Sequence, residues 1–171
     1  MVDLIARIDL LKKYQKIDLT WSEDYVNRLV HHLVASCSRL SEFLKKNLSE
    51  EILYFLSQEY SNLRQKLTQL TPTFVTLNAQ RKAKIHYTSD QDPWIESKLQ
   101  DFFGMQEGPK ILGGQLPLTL HLLAPNRRPV QVTRDLASFW KNTYPQVRKE
   151  LSRKYPRHPW PEMSTGAQKG K

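Results

Sequence analysis

A single cysteine, Cys37, stands in the 171 residues, so no disulfide can close within the chain. Beside Val34, Ala35 and Leu40 that thiol reads as a small apolar group on a helix flank rather than a reactive one, and a reducing compartment is expected. No apolar run approaches the ~20 residues that cross a bilayer as a helix. The opening Met1-Val2-Asp3 alternates charge with aliphatics and does not read as a secretory leader, so a cytoplasmic location and no membrane partner are expected. Metal-ligand spacing is missing too. His31 and His32 are neighbours, which on a helix point about 100° apart, and His86, His121 and His158 are scattered, so neither a metal nor a cofactor is expected.

Catalytic machinery is equally scarce. A phosphate-cradling loop ends in Gly-Lys-Ser/Thr between a strand and a helix, and neither Gly104 to Lys110 nor Gly166 to Lys171 does so. No serine has a nucleophile-elbow setting. Of the clustered acids, Asp92 suits a helix cap and Asp90 a loop, and His121, mid-strand among leucines, suits a buried or solvent-facing imidazole better than a general base. The expected catalytic set is therefore empty.

What the chain does have is uneven positive charge. Residues 1–71 carry 10 Lys/Arg against 9 Asp/Glu and residues 72–126 carry 5 of each, whereas residues 127–171 carry 11 against 3. Nearly all of the net +9 thus lies in the last quarter, as expected of a segment facing a polyanion. The candidate nucleic-acid-binding residues are Arg127, Arg128, Arg134, Arg148, Lys149, Arg153, Lys154 and Arg157. Aromatics accompany them in Tyr155-Pro156-Arg157-His158-Pro159-Trp160-Pro161, where Tyr155 and Trp160 are candidates for stacking on bases or, alternatively, on the domain itself.

The residue patterns predict an α+β chain: a helical segment over 1–71, a small mixed domain over 72–162 and a polar, aperiodic tail over 163–171 expected to be disordered. Leu4, Ile5, Ile8 and Leu11 make a first helical stripe, and Tyr25, Val26, Leu29, Val30 and Leu33 a second, capped by Thr20 or Ser22. Ser38 and Ser41 suit the start of a short helix. Ser49 suits an N-cap for one long helix from Glu50 to Leu70, ended by Pro72. Beyond it, Phe74–Leu77 and Ala83–Thr88 predict a hairpin, Asp92-Pro93 a helix through Leu99 and Phe103, and Leu116–Leu123 with Val130–Thr133 two further strands. Thr133 is the expected cap of a helix from Arg134 that Pro145 interrupts or restarts. The predicted order in the mixed domain is ββα-ββα-like.

Longer motifs add a resemblance. Pro117-Leu118-Thr119-Leu120-His121-Leu122-Leu123-Ala124-Pro125, Arg128-Pro129-Val130-Gln131-Val132-Thr133-Arg134-Asp135-Leu136-Ala137-Ser138-Phe139-Trp140, Tyr144-Pro145-Gln146-Val147-Arg148-Lys149-Glu150-Leu151 and Arg153 to Pro161 follow one another in order. With Ile85-His86-Tyr87 and Lys98 to Gly104, this pattern resembles the C-terminal region of the bacterial HrpB-type ATP-dependent helicases over about residues 72–162. The first hairpin departs from it, reading Asn78-Ala79-Gln80. The resemblance implies a parent of the DExH helicase class with paired RecA-like motors, and this chain is expected to be a piece of such a protein. It implies no catalytic residue here. The expectation is a non-catalytic accessory domain that binds single-stranded nucleic acid, RNA ahead of DNA, and accompanies the motor domains. The alternative is an interaction module docking on the motor or on another acidic protein surface.

Overall fold

A computed structural model describes residues 2–35 and 37–162, so the expected disordered tail lies outside the described residues. The chain divides into two compact units, one of residues 1–72 with 87–91 and one of residues 73–86 with 92–171.

The first unit is helical: α1 (Val2–Lys13), α2 (Glu23–Ala35), α3 (Leu40–Phe43), α4 (Leu48–Glu59) and α5 (Leu63–Leu70). Its core is built from Leu4, Ile8 and Leu11 of α1, Leu29 of α2, Leu56 of α4, and Leu63 and Leu67 of α5. Arg7 serves as a remote cap for α5, whose last carbonyls have no helical partner. Its Nε donates to the Thr71 carbonyl at 2.8 Å and a terminal nitrogen donates to the Leu67 carbonyl at 3.1 Å. Tyr87 packs under that guanidinium at 5.8 Å and donates its hydroxyl to the Pro72 carbonyl at 2.7 Å, and burial raises its pKa.

Three expectations change here. The run over 50–70 is two helices, broken at Tyr60-Ser61-Asn62. Ser61 and Asn62 are short polar residues whose side chains compete with helical backbone bonds. The cap of α4 is Asn47, which accepts from the Glu50 amide, and not Ser49. In α2, Ser22 does accept from the Tyr25 amide, but only Tyr25 and Leu29 of the predicted stripe are buried.

The second unit carries a five-stranded sheet in the order β1-β2-β3-β6-β7. The strands are β1 (Phe74–Thr76), β2 (Lys82–His86), β3 (Trp94–Lys98), β6 (Thr119–Leu123) and β7 (Pro129–Thr133), and a small ribbon pairs β4 (Lys110–Ile111) with β5 (Leu116–Pro117). Every pairing in the large sheet is antiparallel except β3 with β6, which is parallel and joined through residues 99–118. That connection contains a short tight helical turn (Leu99–Phe102) and then Gly104 at φ +84°, where the left-handed backbone suits glycine.

The strand β3 corrects the helix expected from Asp92-Pro93. Leu99 and Phe102 do fall at helical spacing, but Trp94 to Lys98 alternate outward and inward, with Ile95 and Ser97 buried. That period of two makes the central strand of the sheet. The expected strand Leu116–Leu123 is also interrupted, at Leu118, which is wholly buried.

One face of the sheet bears Ala83, Ile85, Ile95, Ser97, Leu120 and Leu122, all buried. The C-terminal helices begin later than predicted: α6 spans Leu136–Ser138, capped by Asp135 accepting from the Ser138 amide at 2.8 Å, while the Thr133 hydroxyl bonds to the Asp135 backbone. A wide helical turn (Phe139–Thr143) runs directly into α7 (Tyr144–Lys154), with Pro145 in its first turn just after the wide turn. Phe103, Phe139, Trp140, Tyr144 and Trp160 form an aromatic cluster with ring centroids 5.0–6.4 Å apart.

Candidate nucleic-acid interface

The basic residues predicted to bind nucleic acid fall in the second unit, on three elements. Arg127 and Arg128 occupy the turn between β6 and β7. This turn needs a left-handed residue, and Arg127 supplies it at φ 65° while its amide donates to the Ala124 carbonyl at 2.8 Å. Asn126 fixes the turn by accepting from the Arg128 amide at 3.2 Å, leaving both guanidinium groups exposed. Lys149 and Arg153 lie four residues apart on α7 and therefore share a face, with Lys154 beside them and Arg157 just past the helix end.

These cations differ in how they are held. Arg127, Arg128, Lys149, Arg153 and Arg157 make no side-chain hydrogen bond or ion pair among the described residues. Among the described residues Lys154 is held only by its approach to the Tyr155 ring at 5.8 Å. Arg148 is tied on two sides, with Nε donating to the Trp160 carbonyl at 2.8 Å and a terminal nitrogen 2.8 Å from Glu162. Arg134 bonds to Thr119 Oγ1 at 2.9 Å and pairs with Asp92. It also sits at the opposite end of β7 from Arg128, a separation of roughly 20 Å at strand rise. The predicted group of eight is thus six exposed cations around α7 and the β6–β7 turn, plus two arginines committed to structure.

A cleft of about 240 Å³ runs between that turn and α7, lined by Arg128, Val147, Glu150, Lys154 and Tyr155 among others. Tyr155 is half-buried there. Trp160, the other predicted stacking residue, is only 9% exposed. Its indole donates to the Tyr155 carbonyl at 3.0 Å and its ring meets Phe103 edge-on at 6.4 Å, so it packs as core and presents little face to a base. The proline-rich segment accordingly folds back on α7. Tyr144 secures the fold-back by donating its hydroxyl to the Pro161 carbonyl at 3.0 Å, and burial pushes its pKa up to about 12.

Among the described residues no group of three or more His, Cys, Asp or Glu side chains could hold a metal ion. No helix there is long and apolar enough to cross a membrane. Cys37 is half-buried on the flank of α2, its thiol 3.9 Å from the Leu33 carbonyl.

Sequence reasoning passed over the outward face of the sheet. Phe74 on β1, Lys82, Lys84 and His86 on β2, Trp94 and Lys98 on β3, and His121 on β6 all point away from the buried face. The alternation Lys82-Ala83-Lys84-Ile85-His86 was the available signal; reading the next segment as a helix hid its continuation.

Comparison with known proteins extends this picture. The family model described as ATP-dependent helicase C-terminal matches residues 29–164. The chain is 39% identical over 100 residues to the ATP-dependent RNA helicase HrpB of Escherichia coli strain K12, covering 58% of this chain but 12% of that protein. A crystal structure of the E. coli DExH-box NTPase HrpB superimposes with a TM-score of 0.79 at 28% identity, over 93% of this chain and 20% of the other. A second crystal structure, of the E. coli DEAH/RHA helicase HrpB, does so with a TM-score of 0.71, over 92% and 20%.

Proposed function

The chain belongs to the family of ATP-dependent helicase C-terminal regions, and from that membership we propose that it is a non-catalytic accessory part of a helicase that holds single-stranded nucleic acid, RNA ahead of DNA. One observation carries the reading. Six exposed cations gather around α7 and the turn before β7, and five of them have no hydrogen-bond, ion-pair or ring partner among the described residues. Exposed cations without carboxylates are free to release counterions from a phosphate chain, which is the main source of non-specific affinity. Arg128, Lys154 and the Tyr155 ring lining one cleft would place a stacking surface beside the phosphate contacts.

The test is fluorescence anisotropy of the full chain with a labelled oligouridine over a range of salt. If roughly four of the six contact phosphate, log affinity falls against log salt with a slope of about −3. Changing Lys149, Arg153, Lys154 and Arg157 together to alanine should flatten the slope by about 2 to 3. Changing Lys13 and Lys45 of the first unit to alanine should leave it alone. Equal weakening by both sets would remove the basic face from the account.

A second reading, docking on the rest of a longer helicase, is favoured by a different surface. Val26, Val30 and Val34 of α2 are 40%, 51% and 46% exposed and share one side of the helix at four-residue spacing, and Leu40 and Leu44 nearby are each 73% exposed. The chain spans only 12% of its curated relative, so most of such a parent lies outside it and could cover this ridge.

A further inference from the structure

The outward face of the five-stranded sheet bears an aromatic ladder that the basic face does not use. His86 on β2 stacks on Trp94 of β3 with ring centroids 4.0 Å apart and planes 12° apart. Trp94 stacks in turn on His121 of β6 at 4.5 Å and 22°. Three rings from three adjacent strands thus form one continuous stack in half-buried positions. They are not part of the core, whose aromatic cluster is built from Phe103, Phe139, Trp140, Tyr144 and Trp160.

The ladder stops short on the β1 side. Phe74 is 54% exposed and makes no ring contact among the described residues, although it lies on the same face. Its register partner is Lys84, two residues before His86, so Phe74 and His86 are diagonal neighbours with roughly 7–8 Å between their backbones. A gap of that width admits one planar ring between two others, at about the spacing of stacked bases. Lys82 and Lys84 flank it on β2 without ion pairs among the described residues, while Glu96 is the acid on the neighbouring strand.

We propose that this face is a second nucleic-acid site, where an unpaired base of a single strand slots between Phe74 and His86 and extends the His86–Trp94–His121 stack. Lys82 and Lys84 are placed to meet the adjoining phosphates. The occupant is a single strand because a duplex buries its base faces within its own stack, whereas unpaired bases are free to be splayed onto aromatic side chains. This site goes beyond the basic face and stands or falls separately from it.

The test uses the full chain, oligouridine and an abasic strand of equal length. Replacing both Phe74 and His86 by alanine should weaken oligouridine binding by about five- to a hundredfold, the loss of one base stack. The salt slope should hold, since no cation is removed. Wild type should bind the abasic strand at least as weakly as the double variant binds oligouridine, since that strand also forgoes any stacking on Tyr155, and Phe74→Tyr should keep affinity because the ring is retained. If the double variant lost folded structure, Phe74→Ala alone, at a largely exposed position, would carry the same comparison. Unchanged oligouridine affinity in the variant, or a wild type indifferent to missing bases, overturns the site. Loss of binding to a helicase motor with nucleic-acid affinity intact would overturn it too and make the face a protein contact. Should the α7 cation variant leave affinity unchanged while the Phe74 and His86 changes reduce it, the platform stands and the basic face falls.

Discussion

Arg148 and Arg153 lie five residues apart on α7 and meet different surroundings. Arg148 reaches back from α7 to the Trp160 carbonyl and Glu162, closing the fold-back of the last described segment. Arg153, on the same helix, touches no partner among the described residues. Arg148→Ala should therefore act on stability: losing a charged hydrogen bond in a partly exposed setting costs about 1 kcal/mol and lowers the melting temperature by roughly 2–4 °C. Arg153→Ala should leave the melting temperature in place and reduce nucleic-acid affinity at low salt. Thermal unfolding and anisotropy on the same two proteins check both halves. Equal melting losses would place Arg153 among the structural cations as well. Sequence supplies the residue type and its helical spacing; which cation is tied to a carbonyl depends on chain that returns twelve residues later.

At the scale of elements, the segment Trp94–Lys98 decides the architecture of the second unit. Its neighbours at 99 and 102 fit a helical stripe, and Asp92-Pro93 looks like a helix start. Hydrogen bonds to β2 and β6 on either side override that local preference, and Ile95 and Ser97 go inward. The two readings place residue 97 oppositely. On a helix carrying Ile95, Leu99 and Phe102, Ser97 would face solvent; on the strand it is 9% exposed and its hydroxyl meets Asp101. Ser97→Lys should consequently cost about 1–3 kcal/mol in urea unfolding, from forcing a long charged side chain into a packed, buried position. Glu96→Lys, on the outward face, should cost little. A tolerated lysine at 97 would return the segment to the helical reading. Other elements were legible because local signals agreed with the final fold: the α1 stripe, the Pro145 restart and the alternating β6 need no distant partner to be recognised.

For the molecule as a whole, two kinds of surface imply two kinds of contact. The valine ridge of α2 and the leucines about α3 are apolar and exposed, and they carry the docking reading. Val30→Glu should reduce association with a purified helicase motor tenfold or more while leaving oligouridine affinity and helicity intact, as read by analytical ultracentrifugation and circular dichroism. Unaltered association would leave the ridge without that role. The sequence by itself determined the α+β class, the helical first half, the absence of a Gly-Lys-Ser/Thr loop and the concentration of charge after residue 127, since composition, periodicity and proline placement are local properties. Only the tertiary structure decided that Arg134 and Arg148 are engaged, that Trp160 belongs to the core, and that Phe74, His86, Trp94 and His121 share one face. Each of those outcomes depends on pairing between strands or segments distant in the chain, and a residue's local pattern does not encode which distant neighbour will lie across from it.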